Sequence, residues 1–229
     1  RKYNMTSLVK VEWQTPTTAL LQMQDLSTHN TLSLDFISSL QMAVTEINQN
    51  QKAKVVILTG LESHFCCGNA QLNYQDKTNS IHQLLLNCEL PVIAALQGDA
   101  LGDGLVLSAY ADVIIMAEES SYSSHYANES FSPGMGATYI LPKKFGTLLG
   151  AELLYSSAQY TGQILKTRNT PVRIVKKVSV LPTAMEIARD FDEKLSTSIR
   201  LLKQHITQII KTEIAPYLTE EVAEYASHE

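Results

Sequence analysis

Two short stretches of the chain end apolar runs in glycine, and both could present backbone N–H groups to an anion. The first is HFCCGN, His64 to Asn69, which follows KVVILTG (54–60). The second is QGDALGDGL (97–105), which continues PVIAALQG (91–98) and opens a helical pattern. In an open α/β sheet ligands bind beyond the carboxyl ends of the strands, so two such turns can line one crevice. N–H groups aimed from a turn or from the first turn of a helix stabilise an oxyanion as its charge develops. Glycine also serves tight turns that carry no chemistry, and a single glycine does not separate the two roles.

Few other side chains are placed for chemistry by spacing alone. His205 lies between Leu202 and the pair Ile206 and Ile209 on an amphipathic pattern. It is either a general acid or a partly buried structural histidine. His29, His64, His82, His125 and His228 have no metal-ligand spacing, although His125, beside Tyr126, could line a pocket. Cys66 and Cys67 are adjacent and poorly placed to bridge, and with Cys88 they make an odd count, so packing thiols are expected. Ser132 and Thr138 flank a glycine-rich turn, where capping a helix is a better use of a hydroxyl than nucleophilic attack.

The elements that must position these residues follow from the hydrophobic pattern. Lys54–Gly60, Pro91–Gly98 and Asp112–Glu119 are short apolar runs bounded by turn residues, and each is predicted to be a strand buried on both faces. Between the strands, SLDFISSLQMAVTEINQN places Leu34, Ile37, Leu40, Val44 and Ile47 at helical spacing behind Ser33 as N-cap. SIHQLLLNCE and GLVLSAY supply helices for the later gaps. This alternation predicts a parallel, right-handed β/α arrangement, to which SLVKVEW and TALLQMQD add a hairpin. After Ser121, the segments FGTLLGAELLYSS, LPTAMEIARDFDEKL and STSIRLLKQHITQIIKTE make the remainder mostly helical.

Bulk properties narrow the function classes. At 229 residues the chain can bury a full core. A net charge of -5 with scattered lysines and arginines leaves no electrostatic footprint for nucleic acid. No apolar run approaches the roughly 20 residues of a membrane span, and RKYNMTSLVK has no signal-peptide segment. A cytoplasmic protein without nucleic-acid or membrane partners is expected.

FCCGN after VVILTG, then PVIAALQGDALGDGL, DVIIMAEESSYS and SFSPGMGATYILPKKFG, resemble in order the landmarks of the crotonase (enoyl-CoA hydratase/isomerase) superfamily, from about Ser7 to Lys211. The resemblance implies an α/β fold: a spiral of ββα turns over residues 1–195 and a C-terminal helical trimerisation region over 196–229. It implies a homotrimer that binds an acyl thioester on the pantetheine arm of CoA or of an acyl carrier protein. Two backbone N–H groups would hold the thioester oxygen. By motif they are those of Asn69 and Asp103, the latter where the family usually has glycine. A carboxylate there could favour the helix dipole, or distort the turn if φ were positive. The two glutamates of the hydratases fall on Val106 and Tyr126, neither suited to proton transfer at neutral pH, and Glu129 is three residues late.

Within the superfamily, NCELPVIAALQGDALGDGL, SFSPGMGATYILPKK and IRLLKQHI are similar to decarboxylases of polyketide β-branching cassettes. Those convert a carrier-bound 3-methylglutaconyl thioester to 3-methylcrotonyl. The resemblance assigns Lys77 to the substrate carboxylate and His205 to protonation of the dienolate. It places Asn73, where some members have tyrosine, and Tyr74 at the pocket with Val106 and Tyr126. No metal or redox cofactor is expected. The alternatives are an acyl-CoA isomerase or hydratase, and a non-catalytic acyl-pantetheine-binding homologue.

Overall fold

The computed structural model describes residues 8–68, 83–125 and 134–226, with side chains as far as Glu221. The N-terminal hairpin forms as the sequence predicts: β1 (Val9–Trp13) pairs antiparallel with β2 (Thr18–Met23), Val11 opposite Leu21. From β2 the sheet continues in parallel through β3 (Val55–Thr59), β5 (Val92–Leu96), β7 (Val113–Ala117) and β10 (Arg173–Val175). Every residue of β3 and β5 is buried, as uninterrupted apolar strands between two covered faces require.

One face of this sheet carries the main core, to which α1 (Leu34–Gln49) contributes Phe36, Ile37, Leu40, Val44 and Ile47. Ser33 caps α1, its hydroxyl accepting from the Phe36 N–H at 3.2 Å. Leu34, expected on the inner face, is exposed: it opens the helix and Phe36 takes the buried position in the first turn. The other face packs on α6 (Val180–Asp192) through Val180, Ala184 and Ala188 against Val55, Ile57, Ile93 and Ile115. The strand-to-strand crossovers thus leave the sheet buried on both sides.

A second sheet, which the apolar runs do not reveal, supplies the other strand of each ββα turn. β4 (His64–Cys67), β6 (Asp99–Leu101) and β8 (Ser121–Ser123) run parallel, and β9 (Tyr160–Thr161) closes the edge antiparallel to β8. Residues expected as a glycine loop are therefore strand up to Cys67. Close backbone packing joins the sheets: a Cβ at Gly60 would lie 2.4 Å from the Phe65 carbonyl oxygen, so only glycine lets the chain fold back from β3 onto β4.

Further helices among the described residues are α2 (Asp103–Ala109), α3 (Ala137–Phe145), α4 (Thr147–Ser156), α5 (Gly162–Thr167) and α7 (Ser196–Ala226). α7 runs thirteen residues past the Glu213 limit of the apolar pattern, through Pro216. It begins at Ser196, where the helical pattern begins, and its inward face (Lys203, Thr207, Ile210, Ile214) is buried, Ile210 and Ile214 joining the main core. Outside that face it exposes Leu201, Leu202, Ile206 and Ile209. Among the described residues no helix is long and apolar enough to cross a membrane.

Candidate active site

The register of the small sheet brings the two glycine turns together. Cys67 on β4 pairs with Leu101 on β6, and Leu101 pairs with Ser123 on β8, so three strands end side by side. The next residues are Gly68, Gly102 and Ser124. Gly68 has φ 91° and Gly102 φ 58°, conformations costly to residues with a Cβ. They bend the chain at neighbouring points along one edge, and Asp103 follows directly on the second turn. Asn69 itself, with Asn73, Tyr74, Lys77, Tyr126, Glu129 and Ser132, lies outside the described residues.

Asp103 opens α2, where first-turn N–H groups point out of the helix end. It is not among the residues with positive φ; the unusual geometry falls on Gly102 instead, so the carboxylate does not distort the turn. The Asp103 residue is buried, 2% exposed. Gly104 lets α2 lie against β4, because a Cβ there would stand 2.0 Å from the Cys66 carbonyl oxygen. The three residues of GDG thus have separate duties: turn, helix start and close packing. One helical turn on, Val106 is fully buried in the main core.

The outer edge of β4 is held by the loop from Asp25 to Thr31. Cys67 N–H donates to the His29 carbonyl at 3.1 Å, and Thr31 Oγ1 donates to the Cys67 carbonyl at 2.7 Å. Asn30, buried with φ 62°, donates from Nδ2 to the Phe65 carbonyl at 2.9 Å while its Oδ1 accepts from Asp25 N–H at 2.7 Å. Within the loop, burial raises the Asp25 pKa, but hydrogen bonds from Ser27 and Thr28 outweigh it and leave the carboxyl below its ordinary value. The His29 and His64 rings stack at 4.1 Å. Asn30 and Thr31 escaped the sequence reading. The cluster of side chains that turn back on their own backbone, Asp25, Ser27, Thr28 and Asn30, was the available signal.

Burial disfavours the thiolate form of both adjacent cysteines. Burial pushes the Cys67 pKa up to about 12 and that of Cys66 well above the ordinary value, with the neighbouring Cys67 and Asp103 adding to the latter. Cys66 Sγ donates to the Asn30 carbonyl at 3.0 Å, so it packs as expected. At the third strand end, His125 has φ 61° and is half-buried, its Nδ1 3.4 Å from Ser123 Oγ. Thr138 caps no helix: the N-cap of α3 is Gly136, whose N–H donates to the buried Glu221 carboxylate of α7 at 3.0 Å. His205 is exposed on α7, two residues from both Lys203 and Thr207 and so on the side away from their inward face. Its exposure means that it is not the partly buried histidine of the structural reading. Among the described residues no group of three or more His, Cys, Asp or Glu could hold a metal.

Comparison with known proteins accords with this arrangement. The enoyl-CoA hydratase/isomerase family model matches residues 14–227. The bacillaene synthase decarboxylase PksI of Bacillus subtilis is 34% identical over 230 residues, covering 96% of this chain and 90% of that protein. A solved structure from a dehydratase/decarboxylase enzyme couple involved in polyketide β-branching superposes with TM-score 0.89 at 33% identity, covering 95% of this chain and 96% of its own. The ECH2 decarboxylase domain of CurF from Lyngbya majuscula gives TM-score 0.88 at 29% identity, with 95% and 92% covered. The match over nearly the whole chain, with paired glycine turns at adjacent strand ends, makes this protein a member of the enoyl-CoA hydratase/isomerase (crotonase) family.

Proposed function

We propose that the protein is a lyase that decarboxylates a 3-methylglutaconyl thioester carried on acyl carrier protein, giving the 3-methylcrotonyl thioester. The observation that carries this reading is the pairing of Cys67 with Leu101, which sets the Gly68 and Gly102 turns on one edge. The N–H groups of Asn69 and Asp103 would receive the thioester oxygen there. Val106, at a hydratase glutamate position, leaves the site without that proton carrier. The decarboxylase relatives support the same reaction class.

In this scheme the bond between the carboxylate carbon and the acyl chain breaks, CO2 departs, and the electron pair passes through the conjugated system to the thioester oxygen. Donors already in place stabilise this dienolate more than the ground-state carbonyl, which is the condition for acceleration. Lys77 pairs with the substrate carboxylate and holds the breaking bond perpendicular to the conjugated plane. His205 returns a proton to the dienolate carbon. No metal or redox cofactor is called on, since the charge rests on N–H donors.

The exposed Leu201, Leu202, Ile206 and Ile209 support homotrimer assembly through α7, the side that also bears His205. The test is to offer the same acyl group on acyl carrier protein and on CoA and to analyse both products. Release of CO2 with preference for the carrier-bound form is expected. Hydration, or turnover of CoA esters alone, would overturn the reading.

A further inference from the structure

A groove of about 480 Å³ lies between α7 and the segment from Leu86 to Glu89, away from the strand ends described above. Glu89 on its wall precedes β5, and Asn50 and Asp112, the partners of its Arg200 and Lys203, precede β3 and β7, so it sits at the amino ends of these main-sheet strands. Three cations of α7 reach it: Arg200, Lys203 and Lys211.

Two of the three are matched. Arg200 pairs with Glu89 at 2.7 Å and donates to the Asn50 carbonyl. Lys203, its side chain 3% exposed, pairs at 2.7 Å with Asp112, whose carboxylate also accepts from Val92 N–H. Lys211 Nζ reaches only the neutral amide oxygen of Asn87, at 3.1 Å, among the described residues. Beside it Thr207, 7% exposed, carries a buried Oγ1 with no hydrogen-bond partner among the described residues. Buried hydroxyls are seldom left unsatisfied in folded proteins, so the orphaned oxygen calls for an acceptor or donor from a ligand.

We propose that this groove binds a phosphate group, free or at the end of a small phosphomonoester, through Thr207 and Lys211. The groove offers one positive charge with no anionic partner among the described residues and a hydroxyl donor, with the amides of Asn87 and Gln208 also on its walls. The guanidinium of Arg200, which would favour a planar carboxylate held by two parallel bonds, is already committed to Glu89 and Asn50. Lysine acts as a point charge toward the several oxygens of a tetrahedral anion. The site is independent of the proposed decarboxylation.

The test is thermal unfolding and calorimetric titration with inorganic phosphate, glycerol phosphate and acetate at constant ionic strength, on wild type, Thr207→Val and Lys211→Gln. A ligand that binds only the folded chain raises its Tm in a saturable way. Saturable stabilisation of wild type by phosphate or by glycerol phosphate is expected, and which of them acts identifies the source. Each substitution should weaken binding by at least about tenfold, the loss of one hydrogen bond to a charged group. Without ligand, Thr207→Val should keep or raise the Tm, because it removes an unsatisfied hydroxyl. Equal Tm shifts in all three proteins, no shift by either phosphate compound, or acetate binding as well as phosphate would each overturn the proposal.

Discussion

Replacing Gly104 by alanine tests whether α2 rests directly on β4, the contact that sets the spacing of the two turns. In an open helix this change stabilises by about 0.8–1 kcal/mol, through propensity alone. Here the new Cβ would meet the Cys66 carbonyl oxygen at 2.0 Å and the carbonyl carbon at 2.6 Å, against an ordinary contact of 3.4 Å, so the helix start must retreat by about 1.4 Å. Both obstructing atoms are backbone, in a strand tied by His29, Asn30 and Thr31. Overpacking of this kind costs about 1–3 kcal/mol, which reverses the sign expected from propensity. Because the displacement separates Asp103 from the Gly68 turn, turnover should fall more than stability does, by about 10²-fold for a misplacement near 1 Å. Urea unfolding and steady-state turnover of the folded variant read the two effects separately. A stabilised Gly104→Ala protein with undiminished turnover would refute the packing, and with it the geometry assigned to the paired turns.

Other substitutions probe the remaining assignments. Asp103→Gly should lower stability by about 1 kcal/mol, from helix entropy and a lost favourable charge at the helix start, while leaving turnover intact. A rise of about tenfold or more would mean that the carboxylate obstructs the site. His205→Ala should reduce decarboxylation by on the order of 10²- to 10⁴-fold with the assembly unchanged by light scattering, and unchanged turnover would remove it from the mechanism. Lys77→Ala should impair substrates that bear the carboxylate far more than binding of the decarboxylated thioester; equal loss for both would point to a folding defect.

Burial and the neighbouring His29 hold the His64 pKa below the ordinary 6.5, although Asp99 opposes them. A histidine lowered in the folded state contributes stability above the unfolded pKa, and that contribution is lost as pH falls through the folded value. Stability should therefore decline on acidification below 6.5, and His64→Gln should flatten the decline. Identical pH profiles would exclude His64 as its source.

Much of the large sheet was legible because its determinants are local. β3, β5 and β7 are apolar runs too short for helices and bounded by turns, and Ser33 announces α1. The small sheet was not legible. β6 and β8 have three residues each, too few to express a two-residue period, and HFCC ends in a glycine that draws attention to the turn beyond it. Their pairing depends on tertiary approach at Gly60 and Gly104, which no local pattern encodes. At the site, the identities of Asn69 and Asp103 came from motif resemblance, whereas the normal φ of Asp103 and the strap from Asp25 to Thr31 came only with the fold. The exposure of His205 was equally hidden: helical spacing gives its angular position relative to Ile206 and Ile209, but not which side of α7 meets the core.

The central claim is tested most directly by intact mass spectrometry of 3-methylglutaconyl-acyl carrier protein incubated with the protein in heavy water. The expected product is an acyl chain that has lost CO2 and gained one carbon-bound deuterium, the signature of a dienolate formed and then protonated. Addition of water with the carboxyl retained, or an unchanged acyl chain, would contradict it.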